Sequence, residues 1–262
     1  MKKLIYQVYV REKDVPLYDF CTASVKAYAD RIGAEYYVQT TPRLKIMPDM
    51  SRTNRNKNGI ITCGYLPILE KENAFDHIYE YDQIAVIDAD IYVRESAPDI
   101  FDELGTDHDW GGVLERDLPL TEGHRRKIQG YSRDMFDRLK DVDWNWNNDG
   151  AEFMNMGVMV FNKSIIKYLD GQSAKEFLLR PEFKDFIDGI GLWKYSTDQV
   201  MLNYWLKKSG AKVKHLDWRF NTMYRGAVDG KIPEAHFVHF FLKQQIPGQG
   251  NDIGGLKKIL GV

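Results

Sequence analysis

A run of aliphatic residues, Ile84-Ala85-Val86-Ile87, ends in two carboxylates one residue apart, Asp88 and Asp90, and apolar residues resume at Ile91-Tyr92-Val93. Continuous apolar runs of this kind read as interior strands, covered by other layers of the fold. In an extended segment residues i and i+2 point the same way, so Asp88 and Asp90 are expected to converge on one point. Two ionised carboxylates that close repel, and a cation between them relieves the repulsion. A hard divalent metal with oxygen ligands is the simplest candidate. The plainer reading is that Asp88 caps the following turn while Asp90 is solvated, and for a motif as short as a lone D-x-D that reading is the default.

The flanking sequence predicts an α/β fold. Residues 4–10 are rich in β-branched and aromatic side chains and read as a strand. Pro16 is placed for a helix start, and Phe20, Ala23, Ser24, Ala27 and Tyr28 keep helical spacing up to a stop at Gly33. Residues 35–39 read as a second strand, which completes a βαβ unit. A helix over 65–75 leads into the Asp88 strand, and further strands are expected at 109–114, in the second half of 151–162, at 213–216 and at 237–241. Helices are expected over 164–170, 173–179 and from Thr197 to a stop at Gly210, and the tail 252–260 reads as a docked amphipathic helix.

Two stretches resist this pattern. Residues 40–59 carry Arg43, Lys45, Arg52, Arg55 and Lys57 and read as a solvated loop, or else as a mobile basic loop contacting phosphates. Residues 122–146 are the least periodic part, with a helix expected over 133–139 and with Trp144 and Trp146 offering rings for sugar stacking. There is no internal repeat, low-complexity segment or linker, so residues 1–262 are read as a single domain.

The 36 Lys+Arg against 38 Asp+Glu give a formal net charge of −2, without the basic footprint that nucleic acid demands. Fifteen Tyr and 6 Trp suit amphipathic ligands such as sugars as well as a dense core. Cys21 and Cys63 show no C-x-x-C spacing and read as free thiols of a reducing compartment, the cytoplasm. The N-terminal apolar residues are broken by Gln7 and followed by Arg11-Glu12-Lys13-Asp14, a first strand rather than a signal peptide. The sequon Asn162-Lys163-Ser164 is therefore read as accidental. No stretch approaches the ~20 apolar residues of a membrane span, which leaves peripheral membrane contact open.

Four blocks in order resemble a known family. These are the D-x-D block over 84–93, Phe153-Met154-Asn155-Met156-Gly157-Val158-Met159, Asp198-Gln199 followed by Asn203, and Val238-His239-Phe240. Together they are similar to glycosyltransferases of the GT-A fold, and most to the retaining family 8 that includes glycogenin and the lipopolysaccharide galactosyl- and glucosyltransferases. The last block departs from the family: it runs Phe240-Phe241-Leu242-Lys243-Gln244-Gln245-Ile246-Pro247, without the usual Gly and Trp.

The resemblance implies a mixed, mostly parallel sheet flanked by helices. It also implies transfer of a hexosyl group from a nucleotide-diphosphate sugar, UDP-sugar favoured, to a glycan or other hydroxyl acceptor. Asp88, Asp90 and His239 would hold Mn²⁺ or Mg²⁺, with Asp88 shared with the nucleotide. Since His236 and His239 differ by three, a strand turns only one of them to the site, and the resemblance selects His239. Asn155 and Gly157 would meet the substrate, Lys243 the phosphates, and Asp198 with Gln199 the reacting sugar, although Asp198 also suits helix capping. An inverting enzyme would instead need a general base such as Glu115, Asp149 or Glu152. The rival readings are a D-x-D phosphohydrolase, disfavoured by Tyr92 where a Thr is required, and a GT-A-like domain that binds without turnover.

Overall fold

The computed structural model describes residues 1–10, 15–55, 64–241 and 243–262, the side chain of Lys243 excepted. The chain opens with β1 (Lys3–Val8), α1 (Pro16–Ile32) and β2 (Glu35–Gln39), the expected βαβ unit, with β1 and β2 parallel. Leu17, Cys21, Val25, Tyr28 and Ala29 form the buried stripe of α1, and the helix stops where Gly33 turns left-handed at φ 68°.

Then follow β3 (Gln83–Ile87), β4 (Ile91–Val93), α2 (Ile100–Leu104), β5 (Trp110–Leu114), α3 (Glu122–Phe136) and β6 (Met154–Asn162). After these come α4 (Ala174–Leu178), α5 (Lys184–Asp188), α6 (Asp198–Ser209), β7 (Val213–His215), β8 (Thr222–Met223), β9 (Phe237–His239) and α7 (Ile253–Leu260). The main sheet has six strands in the order β2-β1-β3-β6-β5-β7. Only β6 runs against the others, pairing antiparallel with both β3 and β5, so the sheet is mixed and mostly parallel as expected.

Both faces of this sheet are covered, which explains the unbroken apolar run. Ile84 and Val86 join one core with Phe75, Trp110, Phe161 and Trp205, while Ala85 and Ile87 join another with Val25, Phe101 and Val160. Alternate residues thus enter opposite layers, and burying each large side chain contributes roughly 1.5–3 kcal/mol. A smaller sheet, β4-β9-β8, branches off where β3 ends. The tail docks as expected, with Leu256 and Leu260 of α7 packed among Leu17, Cys21 and Phe240.

Several boundaries differ from the sequence reading. In place of the helix expected over 65–75 stands a 3-10 helix, Pro67–His77, in which Leu69 to Phe75 are buried without a break, charged residues included. The helix expected over 133–139 instead spans Glu122–Phe136, and the one expected over 164–170 is a 3-10 segment, Lys163–Tyr168. The loop after β2 is tied down. The buried Glu70 carboxylate accepts from the backbone N–H of Arg43, Leu44 and Lys45 at 2.6, 3.1 and 2.7 Å. Arg55 donates to the carbonyls of Phe186, Ile187 and Ser196, so its guanidinium is a structural clamp and not a solvated or phosphate-seeking group. Lys57 and Cys63 lie outside the described residues. Cys21 is a buried free thiol, and no helix among the described residues is long and apolar enough to cross a membrane.

Candidate active site

The site is built where β3 ends and the small sheet begins. Asp88 and Asp90 do converge, but through a turn and not an extended segment: Ile91 N–H donates to Asp88 O at 3.1 Å and reverses the chain. Asp88 N–H donates to Gly157 O at 2.8 Å, which anchors the turn on β6. The return strand β4 pairs antiparallel with β9 in a register that sets Ile91 opposite His239. That register places His239 Nε2 3.3 Å from Asp90 Oδ1 and 3.9 Å from Asp88 Oδ2.

β6 supplies the second wall. Its register against β5 jumps between Gly112, paired with Met159, and Val113, paired with Asn155, so residues 156–158 bulge out of the ladder. The bulge brings Gly157 against the imidazole: a Cβ there would lie 2.5 Å from His239 Cε1 and 2.8 Å from Nδ1. Only glycine fits this close approach.

α6 supplies the third wall. Its N-cap is Thr197, whose hydroxyl accepts from Gln199 N–H, so Asp198 is released from capping and turns inward. The buried Lys71, from the 3-10 helix, donates to Asp88 Oδ1 at 2.9 Å and to Met156 O at 2.7 Å, and stands 3.0 Å from Asp198 Oδ2. Asn203, a turn further along α6, accepts from Met154 N–H and donates to Met154 O, both at 2.8 Å, and so fastens the helix to the start of β6.

Asn155 is engaged at both ends of its amide: its Oδ1 accepts from Gly157 N–H at 2.9 Å and from Asn221 Nδ2 at 2.7 Å, and its Nδ2 donates to Glu115 Oε1 at 2.6 Å. Gln199 lies beside them, its Oε1 3.4 Å from Met156 N–H and its Nε2 3.4 Å from Glu115 Oε1. His239 Nδ1 is 3.0 Å from Asn221 Oδ1.

The electrostatics follow from burial and pairing. Burial would lower Lys71, but the Asp198 and Asp88 carboxylates outweigh it and hold the ammonium above the usual lysine range. Burial also works against a charged His239, and Asp90 and Asp88 overcome it, so the imidazole is raised. Burial pushes Asp88 up against the pull of Lys71, whereas for Asp90 the neighbouring His239 outweighs burial and lowers it. Glu72 and Glu115 are both raised by burial, Glu72 strongly, with the Asp198 carboxylate adding to the shift. Neither Glu72 oxygen, nor Glu115 Oε2, has a hydrogen-bond partner among the described residues.

Asp88, Asp90 and His239 present two carboxylate oxygens and one imidazole nitrogen within 4.8 Å of one another. An ion with bonds of about 2.2 Å separates its ligand atoms by about 3 to 4.4 Å, and both His239 spacings fall in that range. The donor set therefore fits a divalent cation. Beside it opens a cleft of about 610 Å³ at the C-terminal ends of β1 and β3, lined by Tyr9, Tyr65, Ile68, Lys71, Asp88 and Asp90. Ligands of open α/β sheets bind at such strand ends.

The other expected residues divide. His236 is turned away from the D-x-D turn and packs on the Phe220 ring, so only one histidine faces the site, as the spacing requires. Asp149 pairs with Arg125, and Glu152 with Arg116 and Lys207, whereas Glu115 stands in the cluster. Trp144 is core, not a sugar platform: it is 2% exposed, lies 4.5 Å from the Phe136 ring, and donates to Leu139 O. Trp146 is 43% exposed. The side chain of Lys243 lies outside those described.

Sequence reasoning missed Lys71, Glu72 and Asn221. Lys71 and Glu72 stand in a charged Glu-Lys-Glu run that reads as a solvated face, and no local pattern marks Asn221.

No protein-family model matches the sequence, and no curated protein does. Solved structures do match. A glycosyltransferase involved in the glycosylation of the major capsid of PBCV-1 superposes with a TM-score of 0.54 at 12% identity, over 92% of this chain and 94% of that one. The apo form of mouse xyloside xylosyltransferase 1 superposes with a TM-score of 0.52, also at 12% identity, over 94% and 100% of the two chains. At that identity the likeness speaks for architecture, and the architecture of this chain is the GT-A glycosyltransferase fold.

Proposed function

We propose that the protein is a metal-dependent glycosyltransferase that moves a hexosyl group from a nucleotide-diphosphate sugar, UDP-sugar favoured, to a hydroxyl of a glycan or other acceptor. The observation that carries this reading is the Asp88, Asp90 and His239 donor set, whose two carboxylates line the 610 Å³ cleft. A bound divalent ion would neutralise the charge that develops on a diphosphate leaving group.

The chain's own residues supply the rest. Asp88, Asp90 and His239 would hold the ion. Lys71, which lines the cleft, holds Asp88 and Asp198 on one ammonium and so sets the position of the Asp198 carboxylate. Asp198 and Gln199, at the start of α6, would steady the sugar as positive charge builds at its anomeric carbon. Asn155 and Gly157 would shape the wall against which the sugar rests, and Lys243 would contact the phosphates. We take the outcome to be retention, the enzyme to be cytoplasmic, and residues 1–262 to form one domain.

A second reading of the stereochemistry has its own support. Glu115 is buried, raised by that burial, and leaves Oε2 without a partner among the described residues. Those are the properties of a general base, and inversion would assign it that part. The anomeric configuration of the product, read by proton NMR, separates the two.

The test of the function is a thermal-shift screen of UDP-, GDP-, CDP- and dTDP-sugars with and without Mn²⁺, since a ligand that binds only the folded state raises the melting point. A Mn²⁺-dependent shift with one nucleotide class, lost together with turnover in a folded Asp90→Ala variant, is expected. Full activity in that variant sinks the metal assignment. Binding without turnover would leave a non-catalytic GT-A domain.

A further inference from the structure

We infer that Asn221 is a positioning residue that fixes which nitrogen of His239 faces Asp88 and Asp90, and that its orientation is dictated by a backbone N–H two residues beyond Asn155. The inference rests on the metal reading for its consequence, though not for its geometry.

The hydrogen-bond relay starts at Gly157. A backbone N–H can only donate, and that of Gly157 points at the side-chain oxygen of Asn155 at 2.9 Å. This fixes the amide of Asn155 with its oxygen toward Gly157 and its NH₂ toward Glu115, whose Oε1 accepts at 2.6 Å. The oxygen of Asn155 also faces Asn221, so Asn221 must present its own NH₂, at 2.7 Å. Asn221 therefore turns its oxygen to His239 Nδ1, 3.0 Å away. An amide oxygen only accepts, so Nδ1 carries a proton. The lone pair of the neutral ring is then on Nε2, the atom 3.3 Å from Asp90 and 3.9 Å from Asp88.

Asn221 is completely buried, at the end of the 3-10 segment Trp218–Asn221. Water does not compete for its amide, and a buried amide left half-satisfied is costly. β8 follows at once and pairs Met223 with His239, which holds Asn221 beside the imidazole. Metal-binding histidines commonly have their second nitrogen held by such a partner, and loss of that partner lowers metal affinity roughly 10- to 100-fold. Here the partner is an amide, which sets the tautomer without adding a negative charge behind the ring.

The experiment has two arms. In the metal-free wild-type protein, long-range ¹H–¹⁵N correlation of the histidine rings, at a pH where His239 is neutral, should show the proton on Nδ1. A proton on Nε2 overturns the inference whatever the protein binds. In the second arm Mn²⁺ binding is measured by titration calorimetry. Asn221→Leu should weaken it by roughly 10- to 100-fold, whereas Asn221→Asp, which still accepts from Nδ1–H but gives up the donor to Asn155 Oδ1, should keep the tautomer and lose less affinity than Asn221→Leu. Unchanged affinity in a folded Asn221→Leu protein also overturns it. If Asn221→Leu does not fold, the wild-type tautomer decides alone. A wild-type protein that keeps Nδ1–H and binds no Mn²⁺ refutes the metal reading and removes the inferred role in metal binding, while the relay from Gly157 to His239 survives.

Discussion

Lys71 Nζ stands 3.0 Å from Asp198 Oδ2, and the same ammonium donates to Asp88 at 2.9 Å. One buried charge thus joins the D-x-D turn to the start of α6, two elements with no backbone hydrogen bond between them among the described residues. Removing one member of a buried ion pair leaves the other desolvated and unpaired, which costs about 3–5 kcal/mol. Lys71→Met keeps the length of the side chain and removes its charge, so its unfolding free energy from urea titration should fall by that order. Adding Asp198→Asn should recover part of the loss. A single variant as stable as the parent would show that the pair is not coupled to folding.

Gly157 should tolerate no side chain. A Cβ would meet His239 at 2.5 Å and the oxygen of Asn155 at 2.9 Å. The imidazole has little room to retreat, because Asn221 holds Nδ1 and the Phe241 ring lies 5.7 Å away on an edge-to-face contact. Overpacking of this kind typically costs about 1–3 kcal/mol. Gly157→Ala is therefore expected to stay folded at 25 °C with a lower melting point and to lose most of its Mn²⁺-dependent thermal shift. A variant that retains the full shift would place the metal away from His239.

The metal-free protein should weaken as pH rises through the titration of His239. Its folded-state value is raised by Asp90 and Asp88, which overcome the effect of burial. Stabilisation from the protonated ring is then fully present below its unfolded value of about 6.5 and is lost as pH climbs through the folded value. Mn²⁺ needs Nε2 without its proton, so metal affinity should change in the opposite sense. In EDTA, the melting point of wild type relative to His239→Gln should fall above about pH 6.5; with Mn²⁺ that difference should grow. Parallel curves in both conditions would remove His239 from the titrating site.

Much of this was legible in the sequence because period and order survive folding. The βαβ opening, the covered Asp88 strand and the docked tail follow from apolar spacing alone. The D-x-D, Asn-x-Gly, Asp-Gln and His blocks, met in order along the chain, lie near one another in space. What escaped did so for physical reasons. Lys71 and Glu72 lie in the stretch Leu69 to Phe75 of a 3-10 helix, buried residue after residue, where no amphipathic stripe exists to mark a buried charge. Asp198 reads as a cap until Thr197 is seen to do the capping. Trp144 and Arg55 look like ligand contacts by residue type, and tertiary partners absorb both. Asn221 carries no local pattern, since its role depends on a strand pairing formed with distant β9.

Asp109 offers a test of the fold that is independent of the site. It is 3% exposed, just before β5, and accepts from Ser164 Oγ at 2.5 Å and from Lys167 Nζ, Tyr168 OH and Lys212 N–H at 2.9 Å each. Burial alone would raise its pKa, but these donors outweigh burial and bring it down from 3.8 to about 2. A carboxylate depressed in the folded state stabilises fully above its unfolded value and loses that contribution as pH falls through the folded one. The window here is therefore from about pH 4 down to about pH 2, and the shift corresponds to about 2 kcal/mol. Unfolding free energies from urea titrations should show Asp109→Asn weaker than wild type by about that amount at neutral pH, with the gap closing across the window. A gap of constant size down to the acid limit would mean that these donors hold Asp109 by geometry alone and not through its charge.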